Sequence, residues 1–245
     1  METRARKRQR VEPEIGYKKA QDGYIVKLEI RGKNNENRSN IVDPIHAKYR
    51  CSEATVLDIF HWKTGKKIES IGGLHNPKFI YNLNETIITR FDKNLEVVCS
   101  EGIHYFKTLE QAENWGSSFP RDGKFVDYHD NGRKAVEYNI INGIIEGEAI
   151  EYHHNGRIHS IAYYSNGNLN GKCENFDFAG NKFTVRNYKD GALHGKYIEY
   201  YLDGNVKHIR NLKNNKLDGK QEFYDKHGTL KERCYYKDGV KVFFL

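Results

Sequence analysis

Along the second half of the chain apolar and polar residues alternate in short runs, and the runs return in phase every 24 residues. In the first run of each copy the even positions hold Val126 and Tyr128, Ile150 and Tyr152, Ile198 and Tyr200. The odd positions hold Asp127 and His129, Glu151 and His153, Glu199 and Tyr201. Side chains of a strand point alternately to its two faces, so the pattern predicts strands with one apolar and one mostly polar face. Glu174 and Glu222 fall on the apolar track of copies three and five, which predicts a face only partly covered. Aromatic residues keep the phase as Tyr128, Tyr152, Phe176, Tyr200 and Tyr224, and more loosely as Ile140, Tyr164, Tyr188, Leu212 and Tyr236.

Three glycine ladders punctuate these runs. One is Gly123, Gly147, Gly171, Gly195, Gly219, and a second is Gly132, Gly156, Gly180, Gly204, Gly228. The third reads Gly143, Gly167, Gly191, Asn215, Gly239, where Asn keeps the tolerance for positive φ that glycine provides. Pairs such as Asn131-Gly132, Asn155-Gly156 and Asp203-Gly204 between alternating runs signal hairpins. Each copy is therefore read as one β-hairpin, and the five copies as a single antiparallel sheet of about ten strands.

Upstream the pattern changes. Residues 1–16 carry dense like charge and little to bury, which predicts a disordered basic tail. From Tyr24 the strand candidates are YIVKLEI at 24–30, TVLDIFHW at 55–62, KIESI at 67–71, TIITRF at 86–91 and LEVVCS at 95–100. Thr108 with Gln111 three residues on is a capping-box signature opening a short helix, LEQAENW, at 109–115. The expected protein is mainly β: a tail at 1–16, a small β-rich domain with one short helix at 17–121, and five hairpin repeats at 122–245.

The repeats resemble the MORN family in its variant form, in which a Gly-Lys pair, a Tyr and a Gly are followed by Y-x-x-G-x-L-x-G. The matching residues are Gly195, Lys196, Tyr200 and Gly204, then Gly167, Leu169 and Gly171, and Gly191, Leu193 and Gly195. The resemblance implies the hairpin array. It implies binding without choosing a target, because such arrays serve as scaffolds, membrane-associated modules and partner-binding surfaces alike. Residues from about Lys48 to Gly116 resemble an uncharacterised domain of repeat proteins from giant nucleocytoplasmic DNA viruses, through AKYRCSEATVLDIF, TGKKIESIGG and CSEGIHYFKTLEQAENW. That resemblance implies a viral source and carries no catalytic residues.

Composition narrows the setting. The chain has 245 residues and a net charge of +7. Residues 1–20 hold seven basic and three acidic side chains, so +4 of that charge sits at the N-terminus and the body is nearly neutral. No apolar run approaches the roughly 20 residues of a membrane-spanning helix. Cys51, Cys99, Cys173 and Cys234 form no C-x-x-C pair, which favours a reduced, intracellular setting.

The 11 histidines and four cysteines are the candidates for metal or nucleophile chemistry. His129, His153 and Asp177 are equivalent positions of successive repeats, about 10 Å apart by strand spacing, too far for one metal and so read as a solvated face. His154 and His159 could meet across one hairpin, yet two histidines without a further ligand make a poor zinc site. Cys51 and Cys99 stand in no nucleophile motif and are read as small hydrophobes. No phosphate loop, nucleophile elbow or zinc-protease helix is present. The reading is non-enzymatic, with no catalytic residue, metal or cofactor.

The function expected is a protein-binding or structural scaffold, with a capsid or assembly protein as partner if the source is viral, acting in host cytoplasm or virion. Its interaction surface is assigned to Tyr128, Tyr152, Phe176, Tyr200, Tyr201, Tyr224 and Tyr235, with Tyr201 and Tyr235 expected to be exposed. An anionic membrane surface is a second target, although Lys213, Lys216, Lys220 and Lys226 are its only candidates. An antitoxin-like role is a third. The tail residues Arg4, Arg6, Lys7, Arg8 and Arg10 are read as a nuclear-import signal, as a weak contact with nucleic acid or an acidic partner, or as a solubilising segment.

Overall fold

The computed structural model describes residues 13–115 and 122–243. They form two compact units, an N-terminal unit of residues 13–115 with 130–132 and a hairpin array of residues 122–129 and 133–243. The basic residues 4–10 lie outside the described residues.

The N-terminal unit is built from β1 (Glu14–Lys19), β2 (Tyr24–Asn34), β3 (Lys48–His61), β4 (Ser70–Gly72), β5 (Ile80–Asn82), β6 (Thr86–Ile88), β7 (Ile103–Phe106) and helix α1 (Leu109–Asn114). Strand order is β2-β1-β7-β3-β6, and β2 also pairs with β3, so four strands close on themselves. The ring closes between β1 and β7 through one pairing, Tyr17 with Phe106. Val26, Leu28, Ile30, Tyr49, Cys51, Val56, Ile59, Ile103 and Tyr105 form its core, joined by Tyr81 of β5. Ile25, on the opposite face of β2, packs with Phe106 and Ala112 under α1. Thr108 caps that helix as its spacing predicted, its hydroxyl accepting from the Gln111 N–H.

Three expectations change here. The tail was drawn to residue 16, but Glu14, Ile15 and Gly16 begin β1, with Gly16 opposite Leu28. Gly16 is required by close approach, since a Cβ there would lie 2.6 Å from the Tyr105 ring. Strand β3 starts at Lys48 rather than 55, and Lys48 and Arg50 within that added stretch are buried. LEVVCS at 95–100 forms no strand. The Arg50 side chain, completely buried, donates to the carbonyls of Asp92 (3.0 Å), Val97 (2.8 Å), Asn94 (2.5 Å) and Glu101 (3.0 Å). Those carbonyls wrap a guanidinium instead of joining a ladder, which satisfies an otherwise costly buried charge.

The array is one antiparallel meander: β8 (Gly123–Tyr128), β9 (Lys134–Ile141), β10 (Ile144–Tyr152), β11 (Ile158–Ser165), β12 (Asn168–Phe176), β13 (Lys182–Lys189), β14 (Ala192–Leu193), β15 (Gly195–Tyr200), β16 (Val206–Lys213), β17 (Lys216–Leu217), β18 (Gly219–Tyr224), β19 (Leu230–Lys237) and β20 (Val240–Val242). Ten of these make five hairpins; β14 and β17 extend β15 and β18 along the same neighbours, and β20 closes the series. Hairpin tips carry four-residue turns with a bulge. In the second, the Gly156 N–H bonds to the His153 carbonyl (2.8 Å), the His153 N–H to the Arg157 carbonyl (2.8 Å), and Gly156 sits at φ 86°. Hairpins are joined instead by two-residue turns in which both central residues have positive φ: Asn142-Gly143, Asn166-Gly167, Asp190-Gly191, Asn214-Asn215 and Asp238-Gly239. These are type I′ turns, whose twist matches the strands, and Asn215 replaces glycine there at φ 66°.

Candidate interaction surfaces of the array

Register fixes which side chains share a face. Val126 pairs with Glu137, Ile150 with Ile161, Glu174 with Val185, Ile198 with Ile209 and Glu222 with Arg233. Tyr128, Tyr152, Phe176, Tyr200 and Tyr224 lie two residues further on the same strands and therefore on this face. All five rings are half-buried. The opposite face carries Phe125 with Tyr138, Ala149 with Ala162, Cys173 with Arg186, Tyr197 with Arg210 and Gln221 with Cys234. It was expected to be polar and solvated, yet Phe125, Ala149, Ala162, Cys173, Gln221 and Cys234 are buried. They are small or tucked among longer neighbours, and on the same face Arg186 and Arg210 lie over the half-buried Tyr197 ring at 5.3 and 5.8 Å. The looser aromatic track also falls here, each member opposite a glycine of the first ladder: Tyr164 opposite Gly147, Tyr188 opposite Gly171, Tyr236 opposite Gly219. A bare backbone leaves room for the ring.

The aromatic face alternates in kind from hairpin to hairpin. The second and fourth hairpins present paired isoleucines. The first, third and fifth present a glutamate held by cations. Glu137 meets Lys124 (2.8 Å) and Lys134 (3.2 Å) and accepts from the Tyr152 hydroxyl. Glu174 meets Lys172 (2.9 Å) and Lys182 (2.5 Å), and Glu222 meets Lys220 (3.1 Å) and Arg233 (2.8 Å). Hydrogen bonds from Lys124 and Tyr152 hold Glu137 down to about 2. Lys220 and Arg233 lower Glu222, and Lys182 and Lys172 lower Glu174 against the burial that would raise it. The breaks in the apolar track are thus neutralised in place.

Sequence reasoning missed a set of staples between hairpins. The His129 ring meets the Tyr152 carbonyl at 2.8 Å, His153 meets that of Phe176 at 2.9 Å, and the Tyr201 hydroxyl donates to that of Tyr224 at 2.9 Å. Each link joins one hairpin tip to the end of the next hairpin's first strand. Asp177 and Asp225, at the same repeat position, cap their own turns by accepting from Ala179 and Asn181, and from His227 and Thr229. Tyr201, assigned to the exposed surface, is instead half-buried and stapled. Tyr235 is half-buried beside Lys220 on the aromatic face. The only signal for the staples was a shared repeat position alternating between rings and Asp.

The remaining candidates separate. His154 stacks on His129 at 3.9 Å, whereas His159 faces Glu151 at 3.4 Å and the His153 ring at 4.6 Å. Among the described residues no group of three or more His, Cys, Asp and Glu could hold a metal ion. The Cys51 thiol is buried and pushed up to about 12 by that burial. Lys213 and Lys216 are direct cross-strand partners at a type I′ turn, Lys220 is committed to Glu222, and Lys226 lies at a hairpin tip, at the other end of the strands. They make no single patch. Phe178 and Leu202, equivalent tip residues, are 63% and 85% exposed, and because they fall in turns the strand pattern of the sequence does not mark them.

These features define a single-layer repeat sheet of MORN-type hairpins. Residues 145–166, 193–214 and 217–238 match the MORN repeat variant, in phase with the second, fourth and fifth hairpins. Residues 3–112 match a family of unknown function, DUF5758. The chain thus carries a DUF5758 domain followed by MORN-variant repeats. An uncharacterized protein of Acanthamoeba polyphaga mimivirus is 31% identical over 100 residues, covering 37% of this chain. The chain spans 61% of that relative's length. Repeats of this kind suggest a module that binds protein or membrane lipid. Among the described residues no helix is long and apolar enough to cross a membrane.

Proposed function

We propose that the array is a docking surface for another protein, working by binding without turnover, and that its aromatic face makes the contact. One observation carries this reading. On that face Ile150, Ile161, Ile198 and Ile209 line up with Tyr152, Phe176 and Tyr200, and the glutamates between them are already paired with cations. Within the array, among the described residues, strands contact strands of their own sheet and no second layer packs on it. Aromatic side chains with few unpaired charges are what the core of an interface demands. The giant-virus relative supports a viral setting, with a virion or assembly component as partner and the infected cell or virion as its place of action.

The test is capture of partners from the source cell by the full chain and by two pairs of variants. Ile161→Lys and Ile209→Lys should abolish recovery of the partner, while Arg186→Ala and Arg210→Ala on the opposite face should preserve it, with melting curves confirming that all four fold. Equal recovery by both pairs would remove the aromatic face from the interface. Co-sedimentation with phosphatidylserine vesicles without any captured protein would favour the lipid reading instead.

A further inference from the structure

The N-terminal unit contains a cavity of about 240 Å³ that no part of the docking function uses. Its wall takes Lys18 from β1, Lys48 from β3, Tyr81 from β5, His104 from β7 and Trp115 after α1. Lys18 donates to the His104 carbonyl at 3.2 Å, and the Lys48 ammonium lies 4.1 Å above the Trp115 ring. Neither ammonium forms an ion pair with a carboxylate among the described residues, and the two repel each other. Burial and the Lys48 charge lower Lys18 to about 8. His104 adds no charge at neutral pH, because burial and Lys18 press it down to about 4 while its ring meets the Val98 carbonyl at 2.7 Å. Two cations have thus been placed side by side in a partly apolar hollow without an internal counter-ion. Lys48 is buried and Lys18 half-buried, and charge placed so is ordinarily paired with an opposite one.

We propose that this cavity is a binding site for a small phosphate-class dianion, with Lys18 and Lys48 as its counter-charges and Tyr81 and Trp115 as walls for a planar substituent. Lysine binds phosphate as a point charge, and a dianion answers two ammoniums where a carboxylate answers one. The volume falls below the roughly 300–1,000 Å³ of sites for drug-sized ligands, so the occupant is small. It is either free phosphate or a monoester of a small planar alcohol. The site is independent of the array and of the docking reading.

Calorimetric titration of the full chain with phenyl phosphate, inorganic phosphate and benzoate tests it. Phenyl phosphate or inorganic phosphate should bind saturably at one site, with benzoate at least tenfold weaker. The tighter of the two phosphates identifies the source. Lys18→Met and Lys48→Met should each weaken that binding at least tenfold, and because each removes a poorly compensated charge, melting should hold steady or rise. Absence of saturable binding by both phosphates overturns the proposal, as does affinity unchanged in the two variants. If one variant fails to fold, the other and the wild-type titration still decide.

Discussion

The N-terminal unit wraps its strands into a ring and buries Tyr49, Arg50 and Tyr105 almost completely, whereas the array lays its strands side by side and leaves most of its large side chains half-buried. In the array Gln221 does reach full burial, and it does so by spanning the backbone of Asn211, accepting from its N–H at 3.1 Å and donating to its carbonyl at 3.0 Å. The first unit concentrates stability in long-range contacts around one core. The second distributes it over neighbour contacts that repeat, as expected of arrays in which each unit touches only the next. A defect in the ring should therefore be global within its unit, and a defect in the array graded.

The largest expected effect is Arg50→Met. It strands the carbonyls of Asp92, Asn94, Val97 and Glu101 that now accept from the guanidinium. With about 1–3 kcal/mol for each buried group left unsatisfied, a loss of at least about 3 kcal/mol is expected. Calorimetry should show the N-terminal transition moving down by many degrees while the array's transition stays. A single joint transition shifting as one would dissolve the contrast between the units.

Next comes the turn backbone of the array. Gly204 sits at φ 87° with no atom near its missing Cβ, so a side chain there meets strain and not a clash. Gly204→Val should cost about 1–3 kcal/mol, read as a lower array midpoint in urea, while Asn168→Val on an exposed strand position should cost far less. Equal losses would mean that the glycine ladders mark something other than turns.

The same contrast explains how much could be read in advance. In the array every backbone demand recurs, so glycines at positive φ print a period onto the sequence, and strand parity places Ile150, Tyr152, Ile198 and Tyr200 on one face. The type I′ turns are also legible there, as Asn142-Gly143 and Asn166-Gly167. The N-terminal strands depend on partners far along the chain. Nothing local in EIGYKK shows that β1 pairs with β2 and meets β7, and nothing in LEVVCS shows that an arginine 47 residues before Val97 will claim its carbonyl. The staples and the lysine cavity share that property: each joins residues whose proximity only the register reveals.

Acidity acts on the two units through differently perturbed groups. Glu137 has a folded pKa held to about 2, below its ordinary 4.5, so its ion pairs stabilise the array above pH 4.5 and are lost as pH falls through 2. Glu14 is the reverse: burial and the neighbouring Glu36 raise it to about 7, so the N-terminal unit is favoured below pH 4.5 and loses that contribution as pH rises through 7. Melting followed from pH 2 to 8 should show the array gaining, while in the N-terminal unit the Glu14 contribution lost above pH 7 runs against the gain that His104, held down to about 4, gives as pH rises toward 6.5. Glu137→Gln should flatten the acid limb of the array alone.

The smallest effect isolates one staple. Tyr201 donates its hydroxyl to the Tyr224 carbonyl, 23 residues on, and the ring itself is half-buried, so Tyr201→Phe removes a single hydrogen bond and keeps the packing. A net loss of about 0.5–1.5 kcal/mol follows, and the place where it appears matters more than its size. If hairpins are coupled only to their neighbours, hydrogen exchange should accelerate at the link between the fourth and fifth hairpins, around Tyr224, and leave amides of the second hairpin near Ile161 unchanged. His153→Phe should do the same two links earlier, between the second and third hairpins, around Phe176. Faster exchange spread evenly over all five hairpins would show instead that the array opens as one cooperative body, like the ring that precedes it.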